Sequence, residues 1–297
     1  MKAVVFGNRE FGCVCLEEVL ALGVEVPLVV TYPPDPNEAP GFRCLAEVAG
    51  RAGLAVTTPP DARGKDLGDR VRALSPDILF SFYYGHRVPG PLLLVPPLGA
   101  WNLHGSLLPR LRGRAPLPFV ILEGDGESGV TLHAMVEEFD AGDVVGRERF
   151  AVAPRETATT LYRKSLEAAR TLLRRTVPPL LAGRAARAPM DLSRSTATPP
   201  LLPLREVDGT ATVDRFDRTV RAFSRPYPGA RVPFGGGFAV VWAGDPGRGG
   251  DGIPLALADG VYRILRLAEE GGPEEEAASF LARHPDAPRL LGRRSPR

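Results

Sequence analysis

The chain predicts an α/β protein: a mostly parallel sheet with helical crossovers, followed by a small β-rich domain. Three observations carry this. Over roughly the first 136 residues short apolar runs alternate with amphipathic segments, the pattern of strands joined by crossover helices. One long amphipathic helix follows, and then a stretch rich in Arg, Ser, Thr and Pro. Beyond that stretch the chain returns to short alternating runs punctuated by Gly-rich turns.

In chain order, apolar runs at 2–6, 26–31, 54–57 and 78–82 read as strands, and the segments 13–22, 45–52 and 67–74 as the helices between them. A strand at 99–103 comes next, then a loop rich in Pro, Arg and Gly, a helix over 117–123 and strands over 130–136 and 147–152. Thr157 is placed to cap a helix in which Leu161, Leu166, Ala169, Leu172, Leu173, Thr176 and Leu180 recur at helical spacing. Residues 184–205 read as a tether, so a first domain is expected over 1–190, a linker over 191–205 and a small β domain over 206–297. Within the latter a short helix at 216–223 and strands at 238–242, 253–258 and 262–267 are expected, turning at Gly235-Gly-Gly237 and Asp259-Gly260. From Glu269 onward the acidic, then Arg- and Pro-rich, composition predicts a frayed tail.

Composition narrows the class of partner. Lys and Arg number 37 against 35 Asp and Glu, so no general basic field exists for nucleic acid or anionic membrane. The opening apolar run is too short for a secretory signal and Pro interrupts the run at 91–100, so a cytoplasmic location is expected. Cys13, Cys15 and Cys44 lack paired C-x-x-C spacing and read as packing residues, with no metal implied.

The chemical signal lies in Trp101-Asn-Leu-His-Gly-Ser-Leu-Leu-Pro-Arg110 and Gly129-Val-Thr-Leu-His-Ala-Met-Val-Glu-Glu-Phe-Asp-Ala-Gly142. Successive strand side chains alternate faces, so Asn102 and His104 should point together into one cleft. Open α/β sheets bind ligands beyond the carboxyl ends of their strands, where these two residues fall. Asp140, one strand and a turn later, could orient the imidazole and favour its protonated form. An amide donor, a proton shuttle and a carboxylate suit acyl transfer. The first turn, Gly7-Asn-Arg-Glu-Phe-Gly12, lacks the spacing of a phosphate loop and reads as a tight strand-to-helix turn, and Trp101 as core. Arg110, Arg112 and Arg114 are a solubilising loop or, beside the site, partners for carboxylates or phosphates.

These strings, with Arg112-Gly-Arg-Ala-Pro116, Met1-Lys-Ala-Val-Val-Phe6 and Leu74-Ser-Pro-Asp-Ile-Leu-Phe-Ser-Phe-Tyr-Tyr84, resemble the folate-dependent formyltransferase family over residues 1 to about 185. The narrower likeness is to the domain that formylates UDP-4-amino-4-deoxy-L-arabinose for lipid A modification; methionyl-tRNA formyltransferase is a more distant match. The resemblance implies a Rossmann-like first domain, an OB-like second one and Asn102, His104 and Asp140 as catalytic residues. The donor it implies is 10-formyltetrahydrofolate, contacted by His86, Arg87 and Val88, by Arg114, and by Val136, Glu137, Glu138, Phe139 and Asp140. By the same likeness Asn102 stabilises the formyl oxygen, His104 moves the proton and Asp140 holds its tautomer.

For the acceptor, the sugar nucleotide leads over tRNA because the loop 31–43 holds two acids and one Arg, where the tRNA enzymes are long and basic. A folate-binding hydrolase or sensor is the third reading. Pro118-Phe119 stands where the sugar enzyme has Asn-Trp, and the second domain matches only around Arg221-Ala-Phe-Ser-Arg-Pro-Tyr-Pro-Gly-Ala230 and Asp259-Gly260, so a different amino sugar is admitted. With the sequence ending at 297, the dehydrogenase fused to the best-known version is expected on another chain.

Overall fold

A computed structural model describes residues 1–33, 42–247 and 250–293. Most of the loop used above to weigh tRNA against a sugar nucleotide lies outside the described residues. The chain divides into two compact units, neither of them a single stretch. The first comprises 1–116, 127–151 and 163–198, the second 117–126, 152–162 and 199–297.

In the first unit β1 (Lys2–Gly7) leads into α1 (Arg9–Ala21), β2 (Glu25–Val30), α2 (Leu45–Arg51), β3 (Val56–Thr57) and α3 (Lys65–Leu74). After β4 (Ile78–Phe82) come the one-turn helix α4 (Gly90–Leu93) and β5 (Ala100–His104). Then follow α5 (Pro116–Glu123), whose residues from 117 on fall in the second unit, β6 (Glu127–Ala134), β7 (Val144–Ala151) and the long α6 (Ala158–Leu181), whose residues up to 162 also fall in the second unit. The sheet runs β3-β2-β1-β4-β5-β6-β7, parallel from β3 to β5 and antiparallel from β5 to β7. Central strands β1 and β4 are apolar because both faces are covered: Val4, Val5, Phe6, Leu79, Phe80 and Phe82 are fully buried.

The turn from β1 into α1 is tight, as expected. Asn8 caps the helix, its side chain accepting from the Arg9 N–H at 2.8 Å. A Cβ on Gly7 would lie 2.7 Å from Leu45 Cδ2 and 3.3 Å from the Phe82 carbonyl oxygen, so a larger residue there would require the Leu45 side chain to shift. Glu18, buried in α1, is paired by Arg174 of α6 at 2.6 Å, which meets the rule that interior charges need partners. Cys13 and Cys15 are free and buried, the Cys13 thiol pushed up to about 12 by burial, in keeping with packing residues.

The second unit holds α7 (Val213–Ala222), β8 (Ala230–Phe234), β9 (Gly237–Asp245), β10 (Ile253–Leu257), β11 (Gly260–Glu269), β12 (Glu275–Glu276), α8 (Ala277–Arg283) and α9 (Ala287–Leu290). Its antiparallel sheet is ordered β10-β11-β9-β8, with β12 against β11. Phe216 and Val220 of α7 join Val232, Val241, Leu255, Tyr262 and Ile264 in its core. The frayed tail expected from Glu269 is overturned. Ala277, Phe280, Ala287 and Leu291 sit in that same core, so burial of four apolar side chains organises a segment whose composition is polar. β8 escaped sequence reading because Arg231 and Pro233 interrupt its apolar run.

Part of the stretch read as a linker is also built into structure. Short 3-10 turns span Leu192–Arg194 and Leu202–Arg205, and Ala197 forms a parallel bridge with Arg112 in the first unit. No helix among the described residues is long and apolar enough to cross a membrane.

Candidate active site

The site forms where β5 and β6 run side by side. Antiparallel register sets Asn102 opposite His133 and His104 opposite Thr131, so these four side chains share one face of the sheet. His133 is a site residue that sequence reading quoted in its motif but gave no role. Its signal was available in the period-two alternation of Thr131 and His133 along the strand, but only pairing with β5 shows that their face is that of Asn102.

Asp140 arrives from the loop between β6 and β7 with φ 50, a left-handed conformation unusual for a non-glycine residue. Its Oδ2 lies 3.6 Å from His104 Nδ1 and accepts from the Gly113 N–H at 2.9 Å. Its Oδ1 lies 3.5 Å from both His133 Nε2 and Asn102 Nδ2. The Asn102 amide also donates to His133 Nε2 at 3.1 Å, an arrangement consistent with His133 Nδ1–H donating to the Ala134 carbonyl at 2.8 Å. One carboxylate therefore gathers the amide and both imidazoles.

The electrostatics differ from the sequence expectation in one respect. Burial pulls the His104 imidazole below its ordinary range, outweighing the Asp140 carboxylate and the Leu111 carbonyl, which raise it. Asp140 favours the protonated form, as expected, but burial outweighs it and shifts the resting balance toward the neutral ring. For Asp140 burial acts upward but loses to His104, His133 and the Gly113 N–H, which together hold it well below the usual carboxylate range. The tautomer is also set differently. The His104 Nε2–H donates to the Leu111 carbonyl at 3.0 Å, so a main-chain oxygen, which can only accept, keeps the proton on Nε2 and leaves Nδ1 free.

The pair opens onto a cavity of about 890 Å³. His86, Arg87, Val88, Arg114, Val136, Glu137, Glu138 and Phe139 all line it, so the contacts expected from the sequence share the same space as Asn102, His104 and Asp140. Arg87 ties the two loops together: its guanidinium donates to the Glu137 carbonyl and lies 5.4 Å from the Phe139 ring centroid. Arg114 donates to the Gly85 carbonyl at 2.7 Å. Arg112 donates to the Phe139 carbonyl and to Glu138 at 2.7 Å, holding the loop that carries Asp140. Arg112 and Arg114 are thus committed to loop structure as well as to charge. Tyr32 and Tyr84 also line the cavity, and the buried Tyr84 hydroxyl has no protein partner among the described residues. Val136 and Phe139 are left half-exposed at its rim.

An imidazole, a carboxylate and an amide donor meet at the carboxyl edge of a mostly parallel sheet, an arrangement that can serve group transfer. The chain belongs to the formyl transferase family, whose model matches residues 1–177. Solved structures share the fold. A variant of HypX from Aquifex aeolicus is similar over 95% of this chain and 47% of its own, at 18% identity and a TM-score of 0.70. The N-formyltransferase from Helicobacter canadensis, in complex with folinic acid and dTDP-3-aminofucose, is similar over 89% of this chain and 98% of its own, at 18% identity and a TM-score of 0.63. A 4-N formyltransferase from Francisella tularensis matches over 77% and 91%, at 20% and 0.61. The chain spans about half the length of HypX.

Proposed function

We infer that this protein transfers the formyl group of 10-formyltetrahydrofolate to the primary amine of a sugar nucleotide, with UDP-4-amino-4-deoxy-L-arabinose the leading acceptor. The observation that carries the reading is the convergence of His104, Asp140 and Asn102 in the lining of one cavity in a chain of this family. The chemistry is assigned to the residues 1–190 that the sequence sets apart as a catalytic domain. The Helicobacter canadensis enzyme, solved with folinic acid and an aminosugar nucleotide, supports both substrates.

The cavity suits a folate. Its walls offer main-chain groups of residues 136–140 for pterin edges, half-exposed Val136 and Phe139 for ring faces, and the Tyr84 hydroxyl for a polar contact. Bound there, 10-formyltetrahydrofolate supplies a formyl carbon on an aryl-substituted nitrogen, which leaves readily once protonated. Among the described residues no group of three or more His, Cys, Asp or Glu is placed to hold a metal ion.

The residues divide the work as follows. Neutral His104 offers Nδ1 to the acceptor amine, since Nε2 is occupied by Leu111. As the amine nitrogen bonds to the formyl carbon, Nδ1 takes its proton, and the carboxylate 3.6 Å away stabilises the imidazolium. The same proton is returned to the departing nitrogen as its bond to the carbon breaks, so His104 ends neutral. The Asn102 amide hydrogen aimed at Asp140 makes a long contact of 3.5 Å and is the one available to a carbonyl oxygen gaining charge.

The test is direct. The protein is incubated with 10-formyltetrahydrofolate and a panel of aminosugar nucleotides, with methionyl-tRNA as control, and products are identified by mass. A formylated sugar nucleotide supports the reading; formylated tRNA, formate release without amine, or folate binding without turnover each overturns it. Asn102→Ala should slow transfer by about 100-fold, the loss seen when one oxyanion donor is removed.

A further inference from the structure

The geometry points to Thr196 and Thr198 as positioning residues of this active site: from the stretch that reads as a linker, they hold the main chain that in turn holds His104 and Asp140. The inference rests on the function proposed above for what His104 does, but its geometry stands alone.

The loop following β5 is held in an unfavourable backbone. Leu111 and Ala115 have φ of 57 and 51, and Gly113 of 100, in the left-handed region that only glycine enters freely. A leucine stays there only if surrounding groups impose it. Thr196 does so through the two peptides that flank Leu111. Its Oγ1 accepts from the Leu111 N–H at 2.9 Å, and its carbonyl accepts from the Arg112 N–H at 2.8 Å. The Leu111 carbonyl is thereby aimed at His104 Nε2, the contact that sets the ring tautomer.

Thr198 does the same two residues on. Its N–H donates to the Arg112 carbonyl at 2.9 Å, and its hydroxyl reaches the Arg114 carbonyl at 2.8 Å and the Arg112 carbonyl at 3.2 Å. Between those two carbonyls lies Gly113, whose N–H donates to Asp140 Oδ2. A parallel bridge between Ala197 and Arg112 completes the strap. Each threonine thus stands one peptide away from one half of the His–Asp pair. Neither hydroxyl meets the cavity, so neither acts on substrate.

The test compares wild type with Thr196→Val, which keeps the shape and removes the acceptor, and Thr196→Ser, which restores it. Imidazole ¹⁵N shifts at pH 7.5, with the His104 signal identified by its loss in His104→Gln, report which nitrogen carries the proton. We expect the Nε2–H form in wild type and Thr196→Ser, and a mixture of tautomers in Thr196→Val. In steady state Thr196→Val should lose about tenfold in kcat with KM for both substrates within threefold, the mark of a misplaced group rather than a lost binding contact. Thr198→Val is the second arm, expected to move the His104 titration curve and lower kcat, with Thr198→Ser restoring both.

An unchanged tautomer and kcat in Thr196→Val overturns the proposal for that residue, even if the thermal midpoint falls. Serine variants no better than the valines overturn it too. Should Thr196→Val not fold, the Thr198 arm decides, an unaltered titration curve counting against the strap. A wild type without formyl transfer would refute the function, while the tautomer spectra would still judge the strap.

Discussion

At the scale of single residues, the balance between burial and charge at His104 makes a pH dependence. A base must be neutral to accept a proton, and burial lowers the His104 pKa, so its imidazole titration, followed by ¹⁵N shifts, should be centred below the ordinary histidine range. A titration centred above about 6.5, the ordinary histidine value, would contradict this. Stability follows the same sign. A histidine with a depressed folded pKa charges more easily when unfolded, so its contribution is lost as pH drops below about 6.5. Asp140, held low, contributes stability above the ordinary carboxylate range and loses it as pH falls toward its folded pKa. The thermal midpoint should therefore decline steadily with acid. His133 yields a second expectation: His133→Phe removes the acceptor that orients the Asn102 amide, and should cost about tenfold in kcat, or about 1.4 kcal/mol, with little change in KM. Equal losses in KM would make it a binding residue instead. In the sequence His133 is one histidine in a motif, and nothing in the string says which strand faces it.

At the scale of elements, the connection from β6 to β7 decides where Asp140 stands. A Cβ on Gly142 would lie 2.1 Å from the Ala134 carbonyl oxygen, a backbone atom that cannot move aside. Gly142→Ala should cost about 1 to 3 kcal/mol by overpacking, lowering the thermal midpoint by several degrees, and it should reduce kcat by displacing Asp140. Unchanged unfolding would show that the loop has slack. The strands and helices of the parallel sheet were legible because each is a run long enough to show its period, as in Leu67, Val71 and Leu74 of α3 or the apolar run of β4, interrupted only by Ser81. β8, α8 and α9 were not. Arg231 and Pro233 in β8 and the Glu-rich approach to α8 disguise elements held by a few side chains, such as Phe234 and Phe280, whose partners lie far away in sequence.

At the scale of the whole molecule, near-neutral charge limits the partners. Binding tRNA through many phosphates would cost a factor of about 10³ to 10⁵ in affinity between 50 and 200 mM salt, whereas a sugar nucleotide with two phosphates should change kcat/KM by less than about tenfold. Measuring kcat/KM across that range separates the two acceptors, and a steep decline would favour nucleic acid. The amino acid order by itself determined the alternation that makes a mostly parallel sheet, and the placing of Asn102 and His104 at the carboxyl end of a strand, because both follow from local periodicity. Tertiary structure alone decided that His133 joins them, that Leu111 sets the His104 tautomer, that burial leaves that ring neutral, and that residues 196–198 brace the loop beside it. Each of these depends on register, on desolvation or on contacts across some 85 residues of chain, and these arise only when the chain closes on itself.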